Sequence, residues 1–98
     1  MKSGFTRSVV TYTTTETETV KDGERIILCN NTSNINIYLP TAVGNIARFE
    51  IKKINSASAT VTINGYSPET IDGGLTATLQ FQNESISLVS DNSNWLII

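Results

Sequence analysis

Short segments with an apolar side chain at every second position recur at about ten-residue spacing along this chain. This period is typical of β-strands that bury one face, because successive side chains of a strand point to opposite sides. Turn sequences such as Asn64-Gly65 separate the segments. The clearest segment places four apolar residues on one side: Leu75, Ala77, Leu79 and Phe81. We therefore predict an all-β fold, a small antiparallel sandwich or barrel-like domain of about seven or eight strands.

The polar surface of such a domain must be built from uncharged side chains. Thr, Ser and Asn together supply 34 of the 98 residues, whereas only 16% of the residues are charged. Thr, Ile and Val contribute 32 β-branched residues, which favour strands over helices. In the alternating segments Thr, Ser and Asn stand between the apolar positions. We expect the outer faces of the sheets to be neutral and rich in hydrogen-bonding groups.

A length of 98 residues allows one domain with a small core. Such a core rarely supplies more than about 3–5 kcal/mol of stability unless disulfides, metals or subunit contacts add to it. Cys29 is the only cysteine and the chain has no histidine, so intrachain disulfides and cysteine- or histidine-based metal clusters are excluded. We therefore predict a homo-oligomer without a cofactor.

The first twenty residues differ in character from the rest of the chain. Between Val10 and Val20 nearly every residue is Thr or Glu. In extended form one side of this segment would carry only threonine, and the other would carry Tyr12, Thr14, Glu16 and Glu18. Neither side is apolar. We predict that residues 1–20 form a Thr/Glu-rich arm or solvated strand and that residues 21–98 form the β domain.

Five stretches of the chain carry its most distinctive residues. In order they are Asn36-Ile37-Tyr38-Leu39-Pro40, Phe49-Glu50-Ile51-Lys52-Lys53-Ile54, Thr60-Val61-Thr62-Ile63, Glu69-Thr70-Ile71-Asp72-Gly73 and Ser87-Leu88-Val89-Ser90-Asp91-Asn92-Ser93-Asn94-Trp95-Leu96-Ile97-Ile98. Their order resembles a small β module of bacteriophage virion proteins, over about residues 24–98. The resemblance implies a structural or adhesive module of a tail fibre, spike, head fibre or capsid decoration. It also implies a homotrimer that contacts other virion proteins.

The chain lacks the usual groups of a catalytic site. Without histidine it has no common general base or proton shuttle. Glu16 and Glu18 are spaced for one face of a strand, but no apolar surroundings are visible that would raise the pKa of either. Asp72 and Asp91 lie in turn sequences, and Cys29 ends an apolar run that we expect to be buried. We predict that the protein is not an enzyme and has no metal site.

The charge and hydropathy patterns argue against two classes of partner. A net charge of −2 with dispersed basic residues does not favour nucleic acid. Lys52 and Lys53 would point to opposite faces of a strand, so they cannot form one phosphate clamp. The apolar runs are too short to cross a membrane, and the N-terminal sequence has no signal-peptide core. We expect a virion protein made in the host cytoplasm, without signal-peptide secretion or membrane insertion.

An exposed aromatic ring beside hydrogen-bonding groups can recognise a sugar. Tyr66 follows Asn64 in a predicted loop, so Tyr66 and Asn64 are the candidate contacts to a saccharide or host surface. Trp95 opens an apolar strand and is expected in the core. Two functional interpretations stay open. One is a virion appendage module for assembly and host attachment, and the other is a carbohydrate-binding or adhesin module of cellular origin.

Overall fold

Nine strands form two sheets in the computed structural model, which describes residues 8–13 and 16–98. Within these residues there is no helix, and hence none that could span a membrane. The strands are β1 (Val9–Tyr12), β2 (Thr17–Thr19), β3 (Ile26–Cys29), β4 (Ile35–Tyr38), β5 (Arg48–Lys53), β6 (Val61–Asn64), β7 (Thr76–Leu79), β8 (Ser85–Ser90) and β9 (Trp95–Ile97). One sheet has the order β1-β3-β5-β8-β9, and the other has the order β2-β4-β6-β7.

From β1 to β6, consecutive strands lie in opposite sheets. The strands from β3 to β6 each pair in parallel with the strand two places earlier in the chain. The pairs are β3 with β1, β4 with β2, β5 with β3, and β6 with β4. From β7 onward the chain reverses, so β7 pairs antiparallel with β6, β8 with β5, and β9 with β8. Between two parallel neighbours of one sheet, the connecting segment of the chain forms a strand of the opposite sheet.

The predicted all-β fold is confirmed, but its sheets are mixed instead of purely antiparallel. Side-chain alternation identifies the buried face of a strand and carries no information on the direction of its neighbour. The number of strands exceeds the prediction by one because the segment after Ser8 contributes two, an edge strand to each sheet.

The core lies between the sheets and is closed by an aromatic pair. Inward positions on the central strands of both sheets are fully buried, including Ile27 and Ile51 of one and Ile37 and Ile63 of the other. The rings of Phe49 and Trp95 pack with centroids 5.4 Å apart and planes tilted by 56°. The indole nitrogen of Trp95 donates a hydrogen bond to the carbonyl oxygen of Pro40 at 3.1 Å. The predicted core position of Trp95 is confirmed, and its N–H is satisfied.

The N-terminal segment was expected to lack a buried face. Within its described residues Tyr12 is buried in the core cluster, and its hydroxyl donates to the Glu24 carboxylate at 2.6 Å. Glu16 is exposed and Glu18 is half-buried. Thr14, which was predicted on the same side as Tyr12, lies outside the described residues, as do Thr15 and residues 1–7. The division of the chain at residue 20 stays a prediction.

Two apolar residues expected on the inward face of β7 are exposed. Leu75 and Phe81 have 68% and 70% of their surface accessible, whereas Leu79 is buried and Ala77 half-buried. The strand spans only Thr76–Leu79, so both residues lie beyond its ends in turns. The sequence alternates past the point where the backbone leaves the sheet, which made the predicted face too long.

Candidate functional site

The outer surface of the four-stranded sheet carries only uncharged side chains. Inward positions such as Ile37 and Ile63 are buried, so the alternate positions of the four strands face outward. We call the eight outward residues the Thr/Asn face; they are Thr17, Thr19, Asn36, Tyr38, Thr62, Asn64, Thr76 and Thr78. None of these side chains is charged at neutral pH. The predicted neutral, hydrogen-bonding outer face is confirmed for this sheet. It is wrong for the five-stranded sheet, where Arg48, Glu50 and Lys52 occupy the outward positions of β5.

Strand register aligns the Thr/Asn face into two rows of four. One row is Thr17, Asn36, Thr62 and Thr78, and the other is Thr19, Tyr38, Asn64 and Thr76. Neighbours within a row are about 4.8 Å apart, and the rows are about 6.7 Å apart along the strands. The face therefore presents hydroxyl and amide groups at regular intervals.

Asn64 is partly engaged within the sheet. Its side-chain nitrogen donates to Asn36 Oδ1 and to the Ile37 carbonyl, both at 3.3 Å, and to the Thr62 carbonyl at 3.4 Å. These bonds are long, and they use the donor side of the amide only. The ring of Tyr38, opposite Asn64 in the register, is 41% exposed. An aromatic ring thus stands beside an amide oxygen at this end of the face.

Tyr66 is displayed on a fixed turn just beyond β6. Its side chain is 56% exposed, and its carbonyl accepts the Glu69 N–H at 2.8 Å. Gly65 is needed before it, because a Cβ there would lie 2.6 Å from the Glu69 carbonyl oxygen. Tyr38 and Asn64 end the parallel strands β4 and β6, so Tyr66 belongs to the same end of the sheet. The saccharide contact at Tyr66 and Asn64 stays a prediction.

A buried polar cluster lies at the end of β5 in the five-stranded sheet, and it was not predicted from the sequence. Lys53 and Asn31 are both fully buried. Lys53 Nζ donates to Asn55 Oδ1 at 2.8 Å, and the Asn55 amide donates to the Asn31 carbonyl. Asn31 Oδ1 is buried without a hydrogen-bond partner among the described residues. Lys53 stands two positions after Ile51, which itself follows Phe49 by two, so the alternation of β5 could have indicated that Lys53 is buried.

The expected division of the lysine pair is confirmed. Lys53 is buried and Lys52 only half-buried, on opposite faces of β5. Cys29 pairs with Lys53 in the register and is buried as predicted. Loss of solvation on burial raises the pKa of the Cys29 thiol to about 12, although the nearby Lys53 ammonium acts in the opposite direction. At neutral pH this thiol is protonated and therefore a poor nucleophile.

Asp72 and Asp91, which were predicted to lie in turns, accept hydrogen bonds from backbone N–H groups. Asp91 Oδ1 accepts the N–H groups of Ser93 and Asn94 at 2.9 and 2.8 Å, and Asp72 Oδ1 accepts the Ile97 N–H at 3.0 Å. The bonds from Asn94 and Ser93 lower the pKa of Asp91 below its ordinary value. Within the described residues no three Cys, Asp or Glu side chains are grouped for a metal ion. Turn formation accounts for both aspartates.

Comparison of the chain with protein-family models, with curated proteins and with solved structures finds no match. The Thr/Asn face combines a regular uncharged array with the exposed ring of Tyr38, and the exposed ring of Tyr66 lies in the turn beyond the same end of the sheet. Such a surface can form hydrogen bonds and stacking contacts.

Proposed function

We propose that the chain is a non-enzymatic structural protein of a bacteriophage virion, a tail-fibre, spike, head-fibre or capsid-decoration module that serves assembly and host-surface attachment. The observation that carries the proposal is the Thr/Asn face. Cores of subunit interfaces are depleted in charged residues and enriched in aromatic residues. This face has no charged residue and one aromatic residue, Tyr38. The order of motifs between residues 24 and 98 supplies the virion context.

The partner at this face is a second copy of the chain, and the resemblance favours a homotrimer. Two rows across four strands cover only about 250 Å². A specific interface buries about 800 Å² on each partner, so the Thr/Asn face is the centre of a larger contact. Exposed apolar residues outside the face, such as Val43 and Ile46, offer further area.

A carbohydrate-binding or adhesin module of cellular origin is the second candidate. It is favoured by the exposed rings of Tyr38 and Tyr66 near the Asn64 amide. The two candidates differ in where the protein is found. Mass spectrometry of purified virions, followed by immunogold electron microscopy, should detect the chain on a tail or capsid appendage. Its absence from particles and presence on a cell envelope would favour the adhesin.

Sedimentation velocity at micromolar concentration tests the assembly role. We expect the wild-type chain to sediment as an oligomer and Thr62→Lys to shift it toward the monomer, because each lysine would be desolvated at the interface. Thr11→Lys is the matched control, since Thr11 is an exposed strand residue of the other sheet. A monomeric wild type, or equal sedimentation of both variants, contradicts assembly through this face.

A further inference from the structure

A groove of about 480 Å³ lies at the opposite end of the four-stranded sheet from Tyr38. It is formed where the chain enters β6 and where it leaves β7. Its lining residues are Ser56, Ala57, Ser58, Thr60, Gln80, Phe81 and Gln82. No charged side chain is among them. The groove is thus a separate surface from the Thr/Asn face.

The groove offers hydrogen-bonding groups that the protein itself does not use. Among residues 8–13 and 16–98, the hydroxyls of Ser56, Ser58 and Thr60 and the side-chain amide of Gln80 make no hydrogen bond to protein atoms. Gln82 donates from Nε2 to the Ile54 carbonyl at 3.2 Å, which leaves its oxygen available. These groups can both donate and accept.

One wall of the groove displays an aromatic ring on a fixed turn. Phe81 is 70% exposed. The Glu84 carboxylate accepts the backbone N–H groups of Gln80 at 2.6 Å and Phe81 at 2.9 Å. The Asn83 N–H donates to the Lys53 carbonyl at 2.7 Å, which ties the turn to β5. The backbone that carries the ring is thus fixed, whereas the ring itself has little packing.

The other wall is fixed in a similar way. Asn55 Oδ1 accepts the Ala57 N–H at 3.0 Å, and Asn34 Oδ1 accepts the Thr60 N–H at 2.9 Å. Asn55 is itself bound to the buried Asn31 and Lys53. Both walls are therefore formed before any ligand arrives, which lowers the ordering cost of binding.

We propose that this groove binds a neutral saccharide, with one pyranose ring stacked on Phe81 and its hydroxyls bonded to the Ser, Thr and Gln side chains. An anionic ligand would find no countercharge in the lining. An apolar peptide would leave the free hydroxyls and amide unpaired, which disfavours it. The volume falls within the range of about 300–1,000 Å³ that is common for small-ligand sites. The inference holds independently of a virion origin and of assembly through the Thr/Asn face.

Binding to an array of uncharged mono- to tetrasaccharides, followed by NMR titration with a bound sugar, tests this proposal. We expect at least one neutral sugar to shift the amide signals of Ser56–Thr60 and Gln80–Gln82. Phe81→Ala should weaken its binding about tenfold or more, since the ring contributes most of the apolar contact. Leu75→Ala is the matched control, because Leu75 is equally exposed at the far end of β7; it should bind as the wild type does.

Four results would overturn the saccharide site. They are no binding on the array, signal shifts confined to the region of Tyr66, equal binding of N-acetylneuraminic acid as an anionic probe, and unchanged affinity of Phe81→Ala. Sedimentation of Phe81→Ala tests whether the groove is instead occupied by a second copy of the chain. If Phe81→Ala dissociates an oligomer and no sugar binds, the groove holds a second copy of the chain. The virion proposal is decided by particle composition and is not affected by these results.

Discussion

A lysine side chain lies fully inside the protein at position 53. A buried ammonium group loses its hydration, and one hydrogen bond to Asn55 Oδ1 replaces only part of it. Asn55 Oδ1 also accepts the Ala57 N–H at 3.0 Å, so it keeps a donor even without the lysine. The four methylene groups of Lys53 fill space between the sheets beside Cys29. The stem of this side chain therefore contributes more to stability than its charge.

Substitutions at Lys53 separate these two contributions. Lys53→Met keeps the volume and removes the charge, so we expect the free energy of unfolding to stay the same or rise by up to about 2 kcal/mol. Lys53→Ala leaves a cavity and should cost about 2–4 kcal/mol. Urea unfolding at pH 7 measures both. If Met destabilises as much as Ala, the bond from the ammonium group outweighs its desolvation.

The burial of a single residue could be predicted where the residue belongs to an apolar run. Trp95 and Cys29 were expected in the core because they belong to apolar runs, and both are buried. The partner of the Trp95 N–H was not predictable, because the Pro40 carbonyl lies 55 positions away in sequence. Tyr12 was misjudged because it is followed by Thr and Glu residues, so the two inward positions of β1, Val10 and Tyr12, are too few to show an apolar face.

At the scale of elements, one glutamate joins two connections that lie far apart in sequence. Glu69, between β6 and β7, accepts the Thr41 hydroxyl at 2.5 Å and the Ala42 N–H at 2.8 Å in the connection between β4 and β5. Ala42 is fully buried. Its N–H would lose its partner if the carboxylate were removed, and the turn that displays Tyr66 would lose its attachment.

Glu69→Ala should therefore lower stability by about 1–3 kcal/mol, the cost of a buried unsatisfied donor. Glu69→Gln keeps one acceptor oxygen and should cost less. Hydrogen exchange measured by NMR should show faster exchange at Ala42 and Glu69 in the Ala variant. Glu16→Ala, at an exposed glutamate, is the control and should stay within about 0.5 kcal/mol of the wild type. Unchanged exchange at Ala42 would show that the contact is dispensable.

The positions of the strands along the chain could be predicted, but their pairing into sheets could not. The apolar run of β3 and the alternating segments after it located the strands from β3 onward. Parallel pairing could not be derived, because it depends on which sheet the chain enters after each turn. The Thr/Asn face was predicted as a neutral surface, whereas its two rows required the register. The Phe81 groove was missed because Phe81 fits an inward pattern.

The molecule as a whole has no histidine, so its charge changes little between about pH 6 and 8. Three carboxylates have a pKa below the ordinary value. The Ser87 hydroxyl and then Arg48 lower that of Glu50, while backbone N–H groups lower those of Glu84 and Asp91. A lowered folded-state pKa stabilises the fold above the unfolded-state value, 4.5 for Glu and 3.8 for Asp, and this stabilisation is lost as the pH falls further.

We therefore expect the melting temperature to be nearly constant from about pH 6 to 8 and to fall below about pH 4.5. Glu50→Gln mimics the protonated side chain. It should be less stable than the wild type at neutral pH and approach it as the pH falls through the lowered pKa of Glu50. Thermal unfolding followed by circular dichroism measures both. A difference between the two proteins that stays constant on acidification would exclude Glu50 as a contributor.

The alternation of β1 to β6 between the two sheets also has a consequence for synthesis on the ribosome. The strands that enter first, β1 to β6, build both layers, but the Phe49 ring meets its partner only when Trp95 of β9 has emerged. Until then the nascent chain holds two incomplete layers with their apolar sides uncovered. The chain therefore reaches its native state only after β9 has been translated, and until then the apolar sides of both layers are open to non-native association.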